Sequence, residues 1–183
     1  MAIIIQDGLG KGYGMRVDSE GRLHTVAYTN PTDFHTNNDY GKVWSLPFGP
    51  RDPTGADDYV FYLQNTGVNN IAVTDIRLSC TGAASRIAIN KVTGTAAAGT
   101  TIVPVARNLG STAAPVATAE DSVDITGLTS AGTLFYMELT AVSTLYHLRT
   151  TSNIILPKSS AIGISVATAT CVVTGVVSVV ELV

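Results

Sequence analysis

Thr170-Cys171-Val172-Val173-Thr174-Gly175-Val176-Val177-Ser178-Val179-Val180-Glu181-Leu182 is the stretch on which the fold turns. Its valines and threonines are stiff at χ1 and suit a pleated strand better than a helix. At a period of two, Val172, Thr174, Val176, Ser178, Val180 and Leu182 share one face, and Cys171, Val173, Gly175, Val177, Val179 and Glu181 share the other. Both faces are largely apolar, so the strand is expected to be covered twice, by a second sheet and by either more of the same chain or a neighbouring subunit. On this reading Val173, Val177 and Val179 are candidate interface residues.

The stretch from Lys158 to Glu181 carries no charge between its ends and is long enough to cross a bilayer. Gly163, Ser165, Thr168, Thr170, Thr174, Gly175 and Ser178 interrupt it, and its Val/Thr/Ser content favours two successive strands joined near residues 167–169 over a membrane helix. No membrane partner is expected. Upstream, from Tyr59 onward, short apolar runs alternate with turn residues in the manner of a sandwich or barrel. Strands are expected near residues 59–64, 71–80, 85–92, 100–105, 133–139, 146–150, 154–156, 161–167 and 170–182. The Asn65-Thr66-Gly67-Val68-Asn69-Asn70 loop is expected to close a hairpin between the first two, and residues 93–99 and 108–120 read as small-residue loops.

The N-terminal third differs in kind. Residues 1–58 hold 13 of the 25 charged side chains, together with Gly8, Gly10, Gly12, Gly14, Gly21, Pro31, Pro47, Pro50 and Pro53. They read as an arm, residues 1–56, preceding an all-β domain over 57–183. Met15-Arg16-Val17 and Leu23-His24-Thr25-Val26 flank Asp18-Ser19-Glu20-Gly21 as a hairpin. Residues 30–56 read as loop. The apolar run Ile3-Ile4-Ile5 is too short for a signal-peptide core and serves better as an anchor.

Composition narrows the function classes. The chain is 45% hydrophobic but only 14% charged, against roughly 25% in an average soluble domain, with aromatics at 7%. The net charge of −3 and the lack of a basic patch remove the counterion-release term that drives nucleic-acid binding, so no nucleic-acid partner is expected. Cys80 and Cys171 match no metal-ligand spacing and read as small buried hydrophobes, with a disulfide as the alternative.

None of the three histidines, His24, His35 and His147, accompanies a nucleophile-elbow motif. Gly8-Leu9-Gly10-Lys11-Gly12-Tyr13-Gly14 completes neither phosphate-binding pattern and reads as a flexible or tightly turning segment. Asp33, Asp39, Asp52, Asp57 and Asp58, and separately Glu120, Asp121 and Asp124, read as solvated residues or turn caps, with no calcium-loop spacing. No catalytic residue, cofactor or metal is expected, and the chain is not expected to be an enzyme.

A resemblance adds to this. The Gly14–Val26 hairpin, Tyr62-Leu63-Gln64-Asn65-Thr66-Gly67, Val92-Thr93-Gly94-Thr95 with Gly99-Thr100-Thr101, Pro104-Val105-Ala106-Arg107-Asn108-Leu109-Gly110-Ser111 and Leu156-Pro157-Lys158-Ser159-Ser160-Ala161-Ile162-Gly163-Ile164 together resemble tailed-bacteriophage virion proteins. The resemblance implies a jelly-roll antiparallel β-sandwich with an extended N-terminal arm, acting as a capsid decoration or cement protein. It implies a homotrimer on the phage head, partnered by the major capsid protein and made in the host cytoplasm. Ile3, Ile4, Ile5 and the hairpin at Gly21 are the expected arm contacts. A receptor-binding or fibre module recognising a bacterial glycan is the alternative, and it calls for an exposed aromatic cluster around Tyr40, Trp44 and Phe48. A small hydrolase, the third reading, calls for a pocket containing His35 or His147.

Overall fold

In a computed structural model, the structure describes residues 4–6, 12–14, 16–17, 23–24, 36–37, 40–140 and 144–182. The chain divides into two compact units, residues 1–31 and 32–183. In the first, β1 (Ile4–Gln6) pairs antiparallel with β2 (Gly12–Gly14), and β3 (Arg16–Val17) with β4 (Leu23–His24). The second pair places Arg16 opposite His24 and Val17 opposite Leu23, the hairpin expected from its turn residues.

The second unit contains β5 (Val43–Arg51), β6 (Asp58–Asn65), β7 (Ile71–Gly82), β8 (Ser85–Ala97), β9 (Thr100–Thr101), β10 (Val105–Ala106), β11 (Ala117–Asp121), β12 (Thr126–Leu139), β13 (Tyr146–Leu156), β14 (Ala161–Val166) and β15 (Cys171–Glu181). One sheet runs β10-β5-β15-β7-β13 and the other β12-β8-β14-β6-β11-β9, with every recorded pairing antiparallel. Taking β5, β6, β7, β8, β12, β13, β14 and β15 as first to eighth, the sheets are ordered 1-8-3-6 and 5-4-7-2. That is the jelly-roll arrangement, an all-β antiparallel sandwich.

Alternating side chains from the two inner faces form one core. Trp44, Leu46 and Phe48 of β5, Ile76 and Leu78 of β7, and Val173, Val177 and Val179 of β15 meet Phe61 and Leu63 of β6, Ile87 and Ile89 of β8, and Ile162 and Ile164 of β14. The Phe48 and Phe61 rings lie 4.8 Å apart. A second, smaller cluster forms on the other face of the β6 sheet, from Tyr62, Val92, Ile125 and Ala161.

Several expectations are corrected. Residues 43–51, read as loop, form β5, an inner strand with a buried apolar face. Pro47 and Pro50 are tolerated because β10 pairs only with Trp44 and Ser45, leaving the rest of that outer edge without a ladder to interrupt. The end of the 108–120 stretch, also read as loop, forms β11 on the edge of β6 together with Asp121. The expected hairpin between β6 and β7 is instead a crossing from one sheet to the other. Asn65, fully buried, holds that crossing: its side-chain amide donates to the Asn69 and Leu156 carbonyls, and its Oδ1 accepts from the Gly67 N–H. The charge-free stretch after Lys158 likewise supplies one strand to each sheet, and no helix among the described residues is long and apolar enough to cross a membrane.

Candidate functional site

The two lateral sides of the sandwich are finished differently. On one side, β10 lies on the edge of β5, and β11 and β9 extend the other sheet past β6. An ion pair ties the sheets there: Arg51 of β5 donates to Asp121 of β11 at 2.8 Å, and the Gly49 N–H donates to the same carboxylate at 2.9 Å. Asp121 is buried, and its proximity raises the Arg51 pKa further above its ordinary value. The expectation that Asp121 is a solvated cap is therefore corrected.

On the opposite side, β12 ends one sheet and β13 ends the other, and among the described residues neither carries a strand on its outer edge. β12 is 14 residues long, exposed along nearly all of its length, and holds one charged residue, Glu138. Register irregularities fall between Thr126 and Leu128, Ser130 and Gly132, and Thr133 and Phe135. From Phe135 to Leu139 the pairing to β8 is regular, so this run presents an ordered edge of backbone donors and acceptors. Leu134, Phe135 and Tyr136 are all more than 40% exposed, and the Arg86 guanidinium lies 4.9 Å over the Tyr136 ring.

Between the two edges lies a groove of about 420 Å³. Its walls are Leu134 and Phe135 from β12, Ile154 to Leu156 from β13, Pro157 and Ser160 from the following turn, and Ala161 and Ile162 from β14, with Lys91 of β8 as its single charged residue. Ile155, 42% exposed, continues the apolar surface outward. An apolar channel flanked by open strand edges can take an extended chain, which would gain main-chain hydrogen bonds from an edge and apolar contact from the walls.

The candidates read from sequence fall elsewhere. Ile4 and Ile5 lie in β1, opposite Gly14 and Tyr13, while Ile3 and Gly21 lie outside the described residues. Val173, Val177 and Val179 are at most 1% exposed and belong to the chain's own core, so they present nothing to a partner. The opposite face of β15 is also buried by this chain toward its end, at Ser178 and Val180, so the second cover needs no neighbouring subunit there. Cys80 and Cys171 form no disulfide and are buried on adjacent strands, and burial pushes the Cys171 thiol up to about 12, with Cys80 beside it.

Trp44 and Phe48 are buried in the core while Tyr40 is exposed, so these three do not form the exposed aromatic cluster that a glycan-binding module calls for. His147 Nε2 contacts the Asp75 carboxylate, which Arg77 also approaches at 2.8 Å, and the groove lining contains no histidine. His35 lies outside the described residues. Asp58 accepts from Thr54 Oγ1 and the Gly55 N–H, as a turn cap does. Among the described residues no group of three or more His, Cys, Asp or Glu side chains is placed to hold a metal ion.

The groove was missed because edge position depends on strand order, which no local pattern reveals. The signal available was Leu134-Phe135-Tyr136, three consecutive apolar residues that put large side chains on both faces of one strand. Comparison of the chain with protein-family models, with curated proteins and with solved structures finds no match.

Proposed function

We propose that this chain is a structural virion protein of the capsid-decoration type, which associates with copies of itself and binds the head of a tailed bacteriophage. The observation that carries the reading is the open side of the sandwich, where a long, nearly uncharged edge strand and an apolar groove stand exposed. Such an edge templates pairing with another chain unless something covers it. In a decoration protein that cover is the function: burying the edge and groove in an assembly adds binding free energy absent from the separated parts.

The low charge of the whole chain supports the same reading, because interface cores are depleted in charged residues. The resemblance of its turn-rich segments to phage virion proteins supports a phage particle as the larger assembly. Copies associated as a cyclic trimer would give each open side an equivalent environment.

Co-sedimentation of the purified chain with phage heads lacking their decoration protein tests the proposal. Saturable binding, with heads surviving a higher temperature once coated, is the expected result. A chain that stays in the supernatant at every concentration overturns it.

A further inference from the structure

We infer that the two open edges join between copies: β12 of one copy pairs antiparallel with β13 of the next, Glu138 standing opposite His147, and three copies close the ring. The inference rests on the self-association reading and names its contact.

The two strands meet at one end of the sandwich. The Tyr146 hydroxyl accepts from the Thr140 N–H at 2.9 Å, so the end of β12 and the start of β13 are level. β12 runs toward that end and β13 away from it, so an axis along the strands brings the edges of successive copies together antiparallel. Their regular stretches match as well. β12 pairs evenly with β8 over Phe135–Leu139, and β13 pairs evenly with β7 over Tyr146–Arg149 before its ladder shifts. With the level ends aligned, Leu139 faces Tyr146 of the next copy, Glu138 faces His147 and Met137 faces Leu148.

Side-chain alternation agrees with that register. Leu139 belongs to the core, and Met137, Tyr146 and Leu148 pack against it while only partly buried. These are the inner faces, and an added edge would finish covering them. Glu138 and His147, one residue out of phase, take the outer faces. A slip by one residue would set the Glu138 carboxylate against Tyr146 or Leu148.

Charge agrees too. Glu138 is exposed and makes no ion pair among the described residues: Arg86, its neighbour on β8, lies over the Tyr136 ring. On the other edge His147 stands beside Arg77, and both contact Asp75. Arg77 faces Asp75 through Nε and is 44% exposed, which leaves its terminal N–H groups for a second carboxylate. Closure is geometrically simple. The two sheets of a sandwich lie about 10 Å apart and paired strands about 4.8 Å, so six edges alternate round one axis and a head-to-tail contact ends in a ring.

The test uses the full chain in two differently tagged forms, one carrying Glu138→Cys and the other His147→Cys. They are mixed and oxidised with diamide, the native Cys80 and Cys171 being buried. A disulfide joining the two tags on a denaturing gel is expected, and none when both forms carry Glu138→Cys. Charge exchange gives an independent readout: Glu138→Lys and His147→Glu should each weaken association by about fivefold, and the two in one chain should restore it. Far-ultraviolet circular dichroism checks that each variant keeps its β signature.

If Glu138→Cys joins only to Glu138→Cys, β12 pairs with itself about a two-fold axis and this contact is overturned. If neither mixture closes and the charge variants associate like an oligomeric wild type, self-association stands through another surface and the contact is again overturned. A wild-type chain that is monomeric at every concentration overturns both the contact and the self-association it rests on.

Discussion

Asp121 shows how single residues hold the closed side of the sandwich. Its carboxylate is buried, paired with Arg51 and hydrogen-bonded to the Gly49 N–H, so removing it strands a guanidinium and an amide together. Asp121→Ala should therefore cost about 2 kcal/mol in urea denaturation, less than a fully buried pair would because Arg51 is partly solvated. Asp121→Asn, which can still accept from Gly49, should cost less, and equal losses would contradict this division. Asp124 behaves oppositely. Burial and then the charge of Asp58 raise its pKa above the usual carboxylate value, so its folded form holds its proton more tightly than its unfolded form. Stability from that proton is present below the unfolded pKa and is lost as pH rises through the folded one. Asp124→Asn should raise the melting temperature at about pH 7 and leave it nearly unchanged near pH 3, where both states are largely protonated; a stabilisation that persists at the acid end would contradict the assignment. The buried thiols add a third expectation. With Cys171 pushed up to about 12, neither native cysteine should react with an aromatic disulfide reagent near pH 8 until the chain is unfolded. Prompt reaction of the folded chain would contradict it.

At the scale of elements, β15 was legible because alternation alone assigns its faces: Cys171, Val173, Val177 and Val179 all point into the core. The use made of that face was not legible, since the chain's own second sheet supplies the cover. Gly175 sits where a Cβ would lie 2.6 Å from Leu78 Cδ2 and 2.7 Å from both the Arg77 carbonyl oxygen and Phe48 Cε1. Gly175→Ala should therefore destabilise by about 2 kcal/mol through overpacking, and a neutral result in thermal melts would show that β15 has room to shift. β5 was hidden by Pro47, Gly49 and Pro50, which read as turn residues but sit on a strand whose outer edge is paired only at Trp44 and Ser45. β11 was hidden because Ala117-Thr118-Ala119-Glu120-Asp121 has little strand propensity and is held by pairing along β6. The edge positions of β12 and β13 were not legible beyond the hint in Leu134-Phe135-Tyr136, because tertiary order, not local pattern, decides which strands end a sheet.

At the scale of the whole sandwich, short strands and an ion pair finish one side, and among the described residues β12 and β13 carry no further strand on the other. That asymmetry is the basis for reading the chain as an assembly component. Leu134 is 43% exposed, so Leu134→Lys should leave the fold's melting temperature within a degree or two while placing a charge on the edge that pairs. The expected loss is in association alone, because a lysine on an open edge opposes strand addition. The most direct measurement is therefore the molar mass of the full chain by light scattering over a range of concentrations, for wild type beside Leu134→Lys. The account predicts a multiple of the 19.1 kDa chain mass for wild type, three copies in the trimer proposed, and a shift toward 19.1 kDa for the variant. A wild-type chain that remains at 19.1 kDa at every concentration would contradict it.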